Sequence, residues 1–158
     1  TVAEKVGIAA LKFADLVNHR SKNYVFDLER FISFEGKTGH YLQYTVVRGK
    51  SILQKATQKN FAAGNFTLPK TAVERILFMK ACQFPDAVKL AFSARAPNHL
   101  CEYAFLFANE YNRLLHQQHI LSEPDGKRRE SLLALTSLSV NLLSKCSELL
   151  AIPVPARM

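Results

Sequence analysis

Apolar residues in this chain recur every three or four positions, and prolines and glycines break the runs into segments. That period matches the turn of an α-helix and not the alternation of a half-buried strand. The plainest case is "RRESLLALTSLSVNLLSKCSELL", residues 128–150, whose leucines keep helical spacing throughout. A first helix is predicted over residues 3–19, with Val6, Ala10, Phe13 and Val17 on one side. The aromatic and β-favouring stretch "SKNYVFD" reads as extended, and Asp27 as the N-cap of a short helix over 27–32. Thr38 can cap a further helix, and Pro69 suits the first turn of the one after "NFAAGNFTLPK". That helix carries Val73, Ile76, Leu77 and Lys80, with a break and restart at Pro85. Pro97 opens "PNHLCEYAFLFANEYNRLLHQQ", the loop "SEPDGK" precedes the leucine-rich helix, and the prolines of "AIPVPARM" end it. The expectation is an all-α helical bundle, and 158 residues suit one domain with a real core.

The stretch "TGHYLQYTVVRGKSILQKATQK", residues 38–59, has two faces. At ~100° per residue, Tyr41, Tyr44, Arg48, Lys55 and Lys59 fall within about 60° of one another. Leu42, Val46, Gly49, Leu53 and Ala56 lie on a stripe rotated by roughly a third of a turn. One stripe suits a core, the other something flat and negative. The charge agrees. The chain carries +8, and residues 36–73 hold six basic side chains (Lys37, Arg48, Lys50, Lys55, Lys59 and Lys70) with no Asp or Glu. The rest nets only +2. A concentrated basic zone suits a polyanion, although a solvated lysine face explains the charge alone equally well. Unstacked RNA bases stack on aromatic rings while phosphates pair with Lys and Arg. The alternative places Tyr41 and Tyr44 at the rim of the core with their hydroxyls in water.

Other chemistry is sparse. "GKT" at 36–38 resembles the end of a phosphate loop, but Phe31 stands where that motif needs glycine. His116 and His119 form an HxxH pair with no carboxylate or cysteine ligand nearby in sequence, which reads as a surface pair. "NFT" at Asn65 is formally a sequon. Cys82, Cys101 and Cys146 are odd in number and widely spaced, and read as buried structural thiols in a reducing cytosol. No arrangement of serine, cysteine or paired carboxylates points to catalysis, and neither a membrane span nor a targeting leader is visible. The first residue is Thr1, which predicts a piece of a longer chain.

At "ADLVNHRSKNYVFDLERFISFEGKTGHYLQYTVVRGKSILQKA" the sequence resembles arginyl-tRNA synthetases where they run into their C-terminal anticodon-binding domain. The anchors are "SFEGKTG", "YLQY" followed by an arginine, and the terminal "VPARM"; "FP" at 84–85, "RAPNHLCEYAFLFANEYNRL" and "HILSE" fit between them. The resemblance covers essentially the whole chain. It implies a DALR-type all-α domain of the kind found in class I aminoacyl-tRNA synthetases, although that tetrapeptide is absent. It also implies a cytoplasmic parent, an arginine–tRNA ligase whose ATP-dependent catalytic domain lies upstream, with residues 1–36 leading in from it. These residues then need no cofactor, ATP belonging to the parent, and their partners are the anticodon loop of arginine tRNA and that catalytic domain.

Carried over motif to motif, Tyr44 and Met158, beside Arg157, stand at positions that contact anticodon-loop nucleotides in relatives. Leu115 stands where a relative's tyrosine helps hold the loop. Tyr41, Arg48, Lys55 and Lys59 rest on the helical-face argument. The chain departs from the pattern at His40 (usually Pro), Thr45-Val46 (Ala-His), Leu114-Leu115 (Phe-Tyr) and Ala156 (Glu). The competing reading is a helical protein-interaction module with weakened RNA binding.

Overall fold

The computed structural model describes residues 1–25, 27–33 and 36–158. Seven α-helices and one short 3-10 helix (Ile120–Ser122) account for the regular structure among them, with no strand. The helices are α1 (Val2–Leu16), α2 (Leu28–Ile32), α3 (Gly39–Gln58), α4 (Ala72–Cys82), α5 (Phe84–Ser93), α6 (Asn98–Gln117) and α7 (Gly126–Leu149). α3 packs on α1 and α7, while α6 packs on α4, α5 and α7. No helix among the described residues is long and apolar enough to cross a membrane.

Capping explains most of the boundaries. Thr1 and Glu4 form a reciprocal capping box that starts α1. α1 stops at Leu16, short of the predicted His19, because the Asn18 amide donates to Ala14 O and its backbone N–H turns back to Asp15. A side chain that competes for the helix's last carbonyls ends it. Thr38 accepts from Tyr41 N and opens α3 as expected. Pro69 does not open α4; Thr71 caps Glu74 N, so the helix begins at Ala72. The break before Pro85 is there, at Gln83. α7 starts at Gly126, earlier than the sequence suggests, because the Asp125 carboxylate accepts from Lys127 N and Arg128 N. The described part of "SKNYVFD" forms no strand, and Lys22 N turns back to His19 O. Phe26 of that stretch, and Phe34 and Glu35 of "SFEG", lie outside the described residues.

Phe13, Leu42, Val46, Leu77, Phe107, Tyr111, Leu114, Leu133, Leu135 and Leu143 make the buried centre. Two glycines set the spacing around it. A Cβ on Gly39 would lie 2.2 Å from Ala9 O, and one on Gly49 would lie 2.4 Å from Val140 Cγ2. α3 therefore approaches α1 at its start and α7 at its middle. α7 also buries small polar residues: Thr136, Ser139 and Ser147, each hydroxyl donating to the carbonyl four residues earlier. Cys101 and Cys146 are buried, and burial pushes both thiols up to about 12, so neither is a thiolate at neutral pH. Cys82 is exposed, contrary to the expectation of three buried thiols, because it ends α4 on the side away from the core.

His40, in the first turn of α3, is 2 % exposed. Burial holds its imidazole below the ordinary 6.5, opposed by a backbone hydrogen bond with Ser33. The folded ring thus takes up its proton at a lower pH than the unfolded chain, which does so as pH falls through 6.5. The His40 contribution is fully present above that pH and is lost below it, with a slope of at most ~1.4 kcal/mol per pH unit. Urea midpoints measured between about pH 7.5 and about pH 5 should fall further for the native chain than for His40→Gln. Parallel curves would remove His40 as the source.

Candidate nucleic-acid interface

α3 brings the predicted site residues to one side of the bundle. It has no acidic residue along its 20 positions. Tyr44 is 51 % exposed, and Lys55 and Lys59 are exposed below it. The Tyr44 ring is therefore available for stacking, one turn from Arg48, with ammonium groups further along the same helix.

Tyr41 is placed differently. It is half-buried and packs on Phe105 with ring centroids 5.7 Å apart, and its hydroxyl accepts from Asn112 Nδ2 at 3.0 Å. Tyr41 thus takes the rim-of-core position of the alternative, but with its hydroxyl bonded to Asn112 and not simply in water, while the Tyr44 side chain is exposed. Arg48 is also half-buried, with Nη1 donating to Asn112 Oδ1 at 3.3 Å.

Asn112 of α6 is the residue that sequence reasoning missed. It is 7 % exposed, and its second amide hydrogen goes to Thr45 Oγ1 at 2.8 Å, while Thr45 donates to Tyr41 O at 2.7 Å. One carboxamide thus fixes Tyr41, Thr45 and Arg48, with both of its N–H donors engaged and its oxygen accepting once. Because the Tyr41 oxygen accepts from Asn112, its own proton is free to donate outward. The signal for this hub was faint: Thr45, a departure from the family pattern, supplies the hydroxyl that the amide reaches.

Leu115 does not belong to the exposed face. It is 7 % exposed and sits in the core, at the floor of a cavity of about 230 Å³ also lined by Ile52, Gln118, His119 and Ile120. Its helical position turns it inward, so it shapes this cavity from below. Arg157 and Met158 are exposed at the end of the tail, Met158 at 46 %. His116 and His119 are exposed, α6 ends between them, and no group of three metal-ligating side chains occurs among the described residues. In "GKT", Thr38 caps α3 and Lys37 pairs with Glu102. Neither is arranged around a phosphate.

The profile of the DALR anticodon binding domain matches residues 42–158, beginning within α3 and running through Tyr44, Arg48 and the tail. The chain is similar to an arginine–tRNA ligase of Alkaliphilus oremlandii, 42% identical over 158 residues, covering 99% of this chain and 27% of that protein. It is 45% identical over 157 residues to one of Hyphomonas neptunium, covering 99% of this chain and 26% of that protein. Among solved structures it is similar to Thermus thermophilus arginyl-tRNA synthetase, with a TM-score of 0.85 and 30% identity over 99% of this chain and 27% of that one. The chain thus spans about a quarter of the length of the relatives it matches. The all-helical order, the aromatic-basic face of α3 and the profile over three-quarters of the residues agree: the chain belongs to the DALR anticodon-binding domain family.

Proposed function

We propose that this chain is the anticodon-binding part of an arginine–tRNA ligase and that the Tyr44 side of α3 receives the anticodon loop of arginine tRNA. The observation that carries the reading is the exposed Tyr44 ring one turn from Arg48, on a helix with no acidic residue. A base stacks on the ring, Arg48 and the outward proton of Tyr41 meet neighbouring phosphate or base oxygens, and Lys55 and Lys59 add longer-range attraction. Arg157 and Met158 approach the same loop from the tail. Activation of arginine with ATP, and its transfer to tRNA, fall to residues outside these 158. The chain's contribution is to hold the tRNA for that chemistry.

Tyr44→Ala tests this directly. Helical circular dichroism should persist, because the ring makes few core contacts, while affinity for an arginine tRNA transcript should fall by ~1–3 kcal/mol, the scale of a lost base–aromatic stack. If about four phosphates are neutralised, log K against log salt should slope near −3. Unchanged affinity with a flat salt response would favour the protein-interaction reading instead.

A further inference from the structure

α3 carries one buried side chain that touches both ends of the chain. Gln43 is 0 % exposed, and its Nε2 donates to Lys5 O of α1 at 3.0 Å and to Pro153 O of the tail at 2.6 Å. Two carbonyl acceptors define the orientation of the amide, because turning it over would set its own carbonyl against both of them. The tail leaves α7 through Ala151 in a left-handed turn (φ 52°) and is then held down at successive points. Lys12 Nζ donates to Ala151 O at 2.7 Å, Ile152 N donates to Ser147 O at 2.8 Å, and Ile152 and Pro155 are buried. Only Ala156, Arg157 and Met158 then remain exposed. Gln43 directly precedes Tyr44 in α3, so the turn of helix that presents the exposed ring is hydrogen-bonded to the tail at Pro153, five residues before Met158.

We infer that Gln43 is a positioning residue, which sets the Arg157–Met158 terminus beside the Tyr44 ring so that RNA meets both as one surface. This rests on the reading of the Tyr44 face given above. Gln43 touches no RNA itself. Its amide transmits the position of α3 to the tail through Pro153 O, and to α1 through Lys5 O. A side chain of similar size without the two N–H donors keeps the packing and loses the register of the tail.

The test uses Gln43→Leu, which removes the donors, and Gln43→Glu, which sets a carboxylate against two carbonyls. The chain has two methionines, so a methyl NMR spectrum reads the tail at Met158 and an independent helix at Met79. In Gln43→Leu, the Met158 signal should move to its unfolded position while Met79 stays. Arginine tRNA binding should weaken at least about fivefold, the scale of losing one significant contact. Once residues 157 and 158 are removed, Gln43→Leu should cost no further affinity. Should Gln43→Glu fail to fold, the Leu variant alone decides. An unmoved Met158 signal in Gln43→Leu, or a loss of affinity that survives removal of the terminus, overturns the inference. Weakening by Tyr44→Ala but not by Gln43→Leu also overturns it and leaves the proposed function standing. Weakening by neither removes both.

Discussion

Arg128→Ala should destabilise the fold by about 3–5 kcal/mol, the range for removing one partner of a buried ion pair. Arg128 is 8 % exposed and sits in the first turn of α7, where a cation gains nothing from the helix dipole. Its partners explain why it is there. Nη2 donates to Glu74 Oε1 at 2.8 Å and Gln118 Oε1 at 3.3 Å, and Nε donates to Glu123 Oε2 at 3.1 Å. Glu74 is 4 % exposed and caps α4 through Lys70 N and the Thr71 hydroxyl. One guanidinium therefore joins α4, the turn after α6 and α7. Without it, Glu74 keeps a buried charge with only neutral donors, which is why the loss exceeds the worth of the pair itself. Urea denaturation would read the effect, and Glu74→Gln combined with Arg128→Met should recover part of it. A loss below about 1 kcal/mol would mean that the cluster behaves as an exposed surface pair.

Gly39→Ala should cost about 3 kcal/mol, the upper part of the range for overpacking a close contact. Its added methyl would meet Ala9 O at 2.2 Å, Ala9 C at 2.6 Å and Ala10 N at 3.2 Å. All three are backbone atoms of α1, so no rotamer relieves the clash and the start of α3 must move away. Gly49→Ala makes the useful contrast. Its nearest atoms, Val140 Cγ2 at 2.4 Å and Tyr111 OH at 2.8 Å, belong to buried side chains and not to backbone, and alanine recovers about 1 kcal/mol of helix propensity in mid-helix. Thermal melts should rank Gly39→Ala as the more damaging. The opposite order would show that α1 yields more readily than the packing between α3 and α7.

The residues easiest to read were those whose behaviour depends on near neighbours. Thr38 as a cap, the restart before Pro85, the end of the last helix and the two faces of α3 all follow from side chains within one or two turns. Of the stripe read from periodicity alone, Leu42, Val46, Gly49 and Ala56 are buried and Leu53 is half-buried. Boundaries moved where a side chain met a backbone group at a helix end: Asn18 takes a carbonyl of the last turn of α1, and Asp125 accepts first-turn N–H groups that have no partner within α7.

The polar interior was not legible. Gln43, Thr45, Thr136 and Ser139 are all fully buried, and residue type alone puts such side chains in water. The Nε2 donors of Gln43 are met by carbonyls 38 and 110 residues away, while its Oε1 has no hydrogen-bond partner among the described residues, and Asn112 is met by groups 64 to 71 residues away. Local sequence determined which segments coil and which stripe of each helix is apolar, because helix period and capping act over a few residues. Tertiary structure decided that Tyr44 faces out while Tyr41 is tied to Asn112, that Leu115 lies beneath a cavity, and that Gln43 holds the tail. Burying a polar group costs less where a partner meets it, and the folded chain alone brings such partners together.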